Sequence, residues 1–429
     1  MPAIVLIGGQ WGDEGKGRIV DLLSEKAHIV TRYSAGNNAG HTVINERGTF
    51  KLRLVPAGIC YPGKICIVGN GMAVNPRALL EEIDDLEARG VSTSHLYVSD
   101  RAQVVMPYHA IIDRLDEKLR GASAVGTTGN GIGPAFVDKV GRIGIRMGDL
   151  CDPGVFKERL RYVLEYKNRV LTKLYETDAL DLEEVYEEYR AYGQRLAPYV
   201  RETSQIVQEA LAAGETVLLE GAQGSLLDLD AGTYEYVSSS VPSSLAAGAC
   251  IGIGIGPTQI DRVLGVYKAY MTRVGAGPMP SELLDDTGQR IRDMGQEYGT
   301  ATGRPRRCGW FDAVASRYTA RINGLSALVL TRLDVLDTFD TIGICTAYEI
   351  DGKRGTDFPA SIGALQRAKP IFEPFPGWNC STKDVRSWED LPVAAQAYVK
   401  KIEELMGVPV GLVSVGPERE SFLALDSII

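Results

Sequence analysis

An apolar pentamer, Ala3-Ile4-Val5-Leu6-Ile7, runs straight into Gly8-Gly9-Gln10-Trp11-Gly12-Asp13-Glu14-Gly15-Lys16-Gly17, and a helix-patterned stretch from Arg18 to Ser24 follows. A buried strand feeding a glycine-rich turn that opens a helix restricts the fold more than any other feature. It is the frame of a phosphate cradle, in which backbone N–H groups and the positive helix end face an anion and a lysine adds charge. The turn also carries an acid, Asp13. A second small-residue turn, Gly36-Asn37-Asn38-Ala39-Gly40-His41-Thr42, comes soon after. A carboxylate inside the first loop and a histidine in the second point to phosphoryl chemistry. The alternative is an ordinary glycine-rich strand–helix turn with a surface acid.

Further strand-like runs recur at Ile29–Tyr33, Ile65–Val68, Leu96–Val98, Val217–Glu220, Ala327–Leu330, Ile342–Tyr348 and Val410–Val415, with helical patterns between them at Pro76–Arg89 and His109–Arg120. This alternation predicts an α/β fold: a large, mostly parallel central sheet with helices on both faces, like that of P-loop NTPases. Residues 154–214 are charged, tyrosine-rich and helix-patterned, and are expected to form a helical insertion within a single domain spanning 1–429. Another amphipathic helix is expected over Trp388–Met406. Glycine, serine and threonine crowd the loops at 8–17, 34–42, 126–134, 221–225 and 238–256. In an open parallel sheet such loops line one edge, where ligands bind.

The 429 residues carry a net charge of −9, which argues against a protein that coats nucleic acid. The seven cysteines form no Cys-x-x-Cys pair and are odd in number, so reduced thiols and a cytoplasmic location are expected. The longest small or apolar run, Ala246–Gly256, is too short to span a bilayer. The four histidines are too dispersed for a local zinc motif, and His28, His95 and His109 read as structural imidazoles.

The first loop departs from a Walker A motif. Five residues separate Gly9 from Gly15, and Gly17 stands where a Ser or Thr would ligate Mg²⁺. Asp13 is the obvious substitute ligand. Thr331-Arg332-Leu333-Asp334 resembles the element by which GTP-binding proteins read guanine: one carboxylate accepts from N1–H and the 2-amino group, and the long side chain two positions earlier stacks on the base. A helix-capping aspartate is the competing reading. Gly299-Thr300-Ala301-Thr302-Gly303-Arg304-Pro305-Arg306-Arg307 places three arginines behind a hydroxyl-rich turn and suits an anion clamp. Gly126-Thr127-Thr128-Gly129 offers hydroxyls and amides to a phosphate monoester, or is a plain surface loop, and Gln223 after Glu220-Gly221-Ala222 is either a purine contact or a structural amide.

Taken in order, these motifs, with Thr272-Arg273-Val274-Gly275-Ala276-Gly277-Pro278, Leu333-Asp334-Val335-Leu336-Asp337 and Ser414-Val415-Gly416-Pro417, resemble the adenylosuccinate synthetase family over nearly the whole chain. The resemblance implies a purine-biosynthetic, GTP-dependent ligase that joins IMP and L-aspartate through a 6-phosphoryl intermediate. It implies catalysis by Asp13, His41, Lys16 and Gln223, and one Mg²⁺ per subunit on Asp13 and the Gly40 carbonyl. GTP would meet Gly12, Asp13, Glu14, Gly15, Lys16, Gly17, Arg18, Gly40, His41, Thr42, Arg332, Leu333, Asp334, Ser414, Val415 and Gly416. IMP would meet Asn38, Ala39, Thr128, Gln223, Ser238, Arg304 and Arg142, the last reaching in from the other subunit of a homodimer. Aspartate would meet Thr300, Ala301, Thr302, Gly303, Arg304 and Arg306. No nucleic-acid or membrane partner is implied. Ser238 stands where the family usually has Thr, Ala301 replaces a common Thr, Asn130 replaces an Arg of some members, and 239–249 lacks the usual Ser-Asn-x-Thr-Ala-Gly-Gly run. Two other readings are a paralogous ligase using a related 6-oxopurine nucleotide and a GTP-binding regulatory module.

Overall fold

A computed structural model describes residues 3–45, 48–121, 124–298 and 305–425, the side chains of 44 and 45 excepted. The large sheet has ten strands in the order Val200–Arg201, Leu96–Ser99, Ile65–Val68, Ile29–Arg32, Val217–Gly224, Ala3–Gly8, Ile260–Lys268, Ala327–Thr331, Val410–Ser414 and Phe422–Ala424. The described registers are parallel, except that the last strand runs antiparallel to its neighbour. Strands buried on both faces read as unbroken apolar runs, which is why Ala3–Ile7, Ile29–Val30 and Ile65–Val68 announce themselves in the sequence. Ala3 to Ile7 are fully buried.

By contact density the chain divides into two units. One holds residues 1–4, 17–222 and 238–261. Its helix Pro76–Ala88 begins where Asn75 accepts from the Ala78 N–H at 3.1 Å with Pro76 in the first turn, and it buries Leu79, Leu80, Ile83 and Leu86. Residues 153–212 form the helices Pro153–Lys173, Leu182–Leu196 and Ser204–Ala212, with the two-residue strand Val200–Arg201 between the last two. A small core of Ala73, Val105, Ile132, Ala135 and Phe136 sits under the loop that precedes helix Ile132–Val140.

The other unit holds residues 5–16, 223–237 and 262–429. Its main core runs from Tyr267 and Tyr270 through Phe311, Leu330 and Leu336 to Tyr398, Ile402 and Val413. The run Ile342–Tyr348, expected in the parallel sheet, lies instead in a second, five-stranded sheet. There the strand Thr341–Ile350 pairs antiparallel with Lys369–Pro376 and Lys353–Gly355, and parallel with Arg307–Asp312. Periodicity records burial and not the identity of the partner strand, so the reassignment was invisible in the sequence. Among the described residues no helix is long and apolar enough to cross a membrane, and all seven cysteines are unpaired.

Candidate active site

The first glycine-rich loop belongs to the second unit up to Lys16. Gly12 (φ 88°), Asp13 (φ 60°) and Gly15 (φ 90°) are left-handed, so the backbone folds back between strand and helix. Glu14, fully buried, fixes this turn: its Oε1 accepts from the N–H of Gln10 at 3.0 Å and of Gly12 at 2.9 Å, and its Oε2 meets Lys16 Nζ at 2.6 Å. Burial alone would raise the Glu14 carboxyl, but the charge and hydrogen bond of Lys16, with the Gly12 N–H, hold it below the usual range. Two N–H groups expected to face an external anion are thus satisfied by the loop's own carboxylate. The Gln10 amide locks the loop to the end of strand Ile260–Lys268, donating to the carbonyls of Lys268 and Tyr270 at 3.1 and 3.2 Å. Thr331 donates to the Glu14 carbonyl at 2.6 Å.

Asp13 is the acid left at the surface, with 46% of its side chain exposed, and its Oδ2 lies 2.9 Å from Arg306 Nε. Arg306 also donates from Nη1 to Glu297 at 2.6 Å. Arg307, counted as a third member of the anion clamp, is committed elsewhere: it forks onto the Glu282 carboxylate and donates to the Gly277 carbonyl at 2.6 Å. Thr300, Ala301, Thr302, Gly303 and Arg304 lie outside the described residues.

In the same unit Arg332 takes the left-handed conformation (φ 65°) just after strand Ala327–Thr331, and its guanidinium donates to the Gly295 carbonyl. Leu333 and Asp334 follow in a short 3₁₀ turn. Ser414 closes its own turn onto the Gly416 carbonyl at 3.1 Å, and Val415 between them is buried. Gln223 is buried, and neither atom of its amide has a hydrogen-bond partner among the described residues. A buried amide without partners is costly, which favours the ligand-contact reading over the structural one.

The first unit assembles the histidine site. His41 Nδ1 meets Glu220 Oε1, and Glu220 Oε2 accepts the Ala57 N–H at 3.1 Å, with Arg32 Nε 3.9 Å from Oε1. Arg32 and Glu220 are fully buried. Burial would raise the Glu220 carboxyl, but His41, Arg32 and the Ala57 N–H hold it below its usual value. An ionised Glu220 requires the proton on His41 Nδ1, which leaves Nε2 as the ring's second functional nitrogen. The residue after Lys16 packs here too, since a Cβ on Gly17 would sit 3.1 Å from that of His41.

Three of the small-residue loops meet in this unit. A Cβ on Gly36 would crowd the Ile132 side chain at the start of helix Ile132–Val140, and Gly133 faces Ser239 Oγ at 3.2 Å from its Cβ position. The divergent segment 239–249 is tied to the same neighbours: Lys139 Nζ donates to the Val241 carbonyl at 2.6 Å and the Tyr33 hydroxyl to the Ser244 carbonyl at 2.8 Å. Asn38 Oδ1 accepts the Gly36 N–H at 3.2 Å, Ala39 and Gly40 follow it into the strand His41–Asn45, and Ser238 Oγ is 3.5 Å from Ser240 Oγ. Thr42 and Thr128 are exposed, and Arg18 is half-buried on the first helix. The amides of Gly126 and Thr127, read as phosphate donors, are bonded to the Glu117 carboxylate at 2.7 and 3.1 Å, as is that of Val125 at 3.2 Å. Arg142 is exposed in a left-handed conformation (φ 62°), just beyond that helix. His109 is structural, as read, donating to Asp138 at 2.8 Å, whereas His28 is half-exposed beside Glu215.

Sequence reasoning named Glu220 within a motif without giving it a task. A lone acid at the end of an apolar strand was the available signal. Glu297 and Lys268 carried none.

A family model described as adenylosuccinate synthetase matches residues 5–423. The adenylosuccinate synthetase of Dehalococcoides mccartyi strain CBDB1 is 54% identical over 420 residues, covering 98% of this chain and 99% of the relative. That of Moorella thermoacetica is 51% identical over 427 residues, covering all of both chains. Among solved structures, the fully ligated adenylosuccinate synthetase of Plasmodium falciparum superposes with a TM-score of 0.92 at 35% identity, covering 99% of this chain and 100% of that one. The succinoaminodeoxyadenylate synthetase of cyanophage S-2L, at 22% identity and a TM-score of 0.62 over 99% and 96% of the two chains, shares the fold.

Proposed function

The chain belongs to the adenylosuccinate synthetase family, and on that premise we propose how its own residues join IMP to L-aspartate with GTP in AMP biosynthesis. The 6-oxo group of IMP is a poor leaving group and must be activated. Asp13 takes the N1 proton of the hypoxanthine ring, charge builds on O6, and O6 attacks the γ-phosphorus of GTP with departure of GDP. His41, oriented through Nδ1 by Glu220, donates a hydrogen bond to the charge that develops, and Lys16, steadied by Glu14, supplies a fixed cation. The amine of L-aspartate then attacks C6 of the 6-phosphoryl intermediate. The C–N bond forms, the C6–O bond breaks, and phosphate leaves.

IMP is held by Asn38, Ala39, Thr128, Gln223, Ser238 and Arg304; the unpartnered Gln223 amide supports this assignment. L-aspartate lies against 300–304, with Arg306 on a carboxylate; the existing Arg306–Asp13 pair supports the geometry of that contact. GTP lies along Gly12 to Arg18 and Gly40 to Thr42. Its guanine is read by Arg332, Leu333 and Asp334, beside Ser414 to Gly416.

Among the described residues no group of three or more His, Cys, Asp or Glu could cage a metal. Mg²⁺ takes one or two carboxylates and completes its shell with phosphate oxygens. The Asp13 carboxylate and the Gly40 carbonyl would hold one ion per subunit, which when bound offsets charge on the transferring phosphoryl group. The enzyme acts as a homodimer in which Arg142 enters the neighbouring IMP site. Exposed apolar side chains at the end of the preceding helix support this, with Val137 and Val140 at 68% and 65%. The unpaired thiols support a cytoplasmic location.

The observation that carries the mechanism is the division of labour in the first loop. Glu14 is buried and spent on structure, whereas Asp13 stays exposed beside Arg306. The test is an absorbance assay for adenylosuccinate with IMP, aspartate and GTP omitted in turn, on wild type and Asp13→Asn. Asp13→Asn should fold and bind GTP but lose turnover; substantial turnover would remove Asp13 from its role.

A further inference from the structure

The second unit contains a buried carboxylate that the mechanism above does not use. Glu297 is almost wholly enclosed. Its Oε1 accepts from Lys268 Nζ at 2.6 Å and from the Tyr270 hydroxyl at 2.5 Å, and its Oε2 accepts from Arg306 Nη1 at 2.6 Å. Its backbone is tied to the same arginine, the Arg306 N–H donating to the Glu297 carbonyl at 2.8 Å. Lys268 is itself buried and braced by Thr272 Oγ1 at 2.9 Å. Burial would raise the Glu297 carboxyl, but Lys268, Tyr270 and Arg306 bring it down to about 2, so it is a permanent anion.

A guanidinium is a planar fork whose edges can serve two carboxylates at once. Arg306 uses it so: Nη1 faces the buried Glu297 and Nε faces the exposed Asp13. The first contact is fixed by two further buried donors to Glu297, Lys268 and Tyr270; the second meets Asp13, whose side chain is 46% exposed. We infer that Glu297 is a positioning residue for the ligation, anchoring the Nη1 edge of Arg306 so that its Nε edge is pre-aimed to receive a carboxylate of the amino-acid substrate. A carboxylate oxygen, Asp13 Oδ2, already lies 2.9 Å from that edge, and the buried Nε–H has no hydrogen-bond partner among the described residues. The inference rests on the assignment of Arg306 to the substrate carboxylate.

Glu297→Gln alone would strand the Lys268 ammonium in the interior and could unfold the chain. The informative variant is therefore the double Lys268→Met/Glu297→Gln, which removes both charges, and Glu297→Asp provides a second route, since it keeps the anion and withdraws it by one methylene. Steady-state kinetics are measured with each substrate varied in turn, alongside melting curves. We expect KM for L-aspartate to rise at least tenfold in the double variant and at least threefold in Glu297→Asp, while KM for IMP and for GTP stays within twofold of wild type. A role confined to stability would not separate the three constants. Aspartate KM within 1.5-fold of wild type in either variant that folds overturns the inference. Arg306→Ala distinguishes the two levels. If it raises aspartate KM and the Glu297 variants do not, the positioning role alone fails; if it leaves aspartate KM unchanged, the assignment of Arg306 and the inference fall together.

Discussion

Gly224 ends strand Val217–Gly224 directly beneath the first loop. Its φ of −91° suits any residue, so it is space and not conformation that demands glycine there. A Cβ would run into the Gln10 carbonyl and the Gly12 N–H, and would sit 2.6 Å from Glu14 Oε1. Real Cβ atoms essentially never come within 3.0 Å of a neighbour, and 3.4 Å begins ordinary contact. The loop must therefore retreat by roughly 0.8 Å, and overpacking of this kind costs about 1–3 kcal/mol. The larger effect falls on chemistry. Glu14 holds Lys16 and the turn that presents Asp13, and a displacement near 1 Å at a reacting group costs on the order of 100-fold in rate. A matched control is Gly324, which ends helix Ala313–Asn323 at φ 60° with nothing near its Cβ position. Gly324→Ala pays about 1–2 kcal/mol of left-handed strain and touches no loop. Melting curves and the adenylosuccinate absorbance assay with GTP varied should show both variants moderately destabilised. Only Gly224→Ala should lose about 100-fold in kcat/KM for GTP. Values for the two variants within threefold of each other would refute the idea that Glu14 and Gly224 jointly shape the loop.

Glu220→Gln removes the partner of both His41 and the buried Arg32; turnover should fall by roughly 100-fold or more, with a stability loss of about 3–5 kcal/mol seen in denaturant titrations, and full activity would exclude the orienting role. Burial pushes the Asp312 carboxyl up to about 6, despite hydrogen bonds from Tyr348 and the N–H groups of Ala315 and Val314. Because the folded value lies above the unfolded one, its contribution is complete below about pH 4 and is lost as pH rises through about 6, to the extent of about 3 kcal/mol. Asp312→Asn should therefore gain stability relative to wild type across that window, as read from melting at stepped pH; parallel curves would contradict the shift. Val140→Glu, on the exposed apolar end of helix Ile132–Val140, should shift sedimentation toward the monomer and raise KM for IMP.

What the sequence disclosed depended on how each element is buried. Ile65–Val68 spans the same residues in pattern and in structure because it is apolar throughout. Ile260–Lys268 was missed because Asp261, Arg262 and Lys268 flank its apolar run and Gly265 divides it. Residue identity in the first loop was legible, but not the exchange of roles within it: adjacent acids look alike on paper, and only the fold puts Glu14 inside and Asp13 outside. The arginine cluster was similarly undivided until Glu282 was seen to claim Arg307. Contacts such as Arg306 with Glu297 join groups with no shared motif, so no spacing rule anticipates them.

The ten-stranded sheet finishes at one margin in Val200–Arg201 and at the other in the antiparallel Phe422–Ala424. Two and three residues leave few unpaired backbone donors and acceptors along which a second molecule could zip, and Arg201 adds an exposed charge at the first margin. Pairing between the margins of two copies' large sheets is thus disfavoured, the route by which wide sheets coalesce into fibrils.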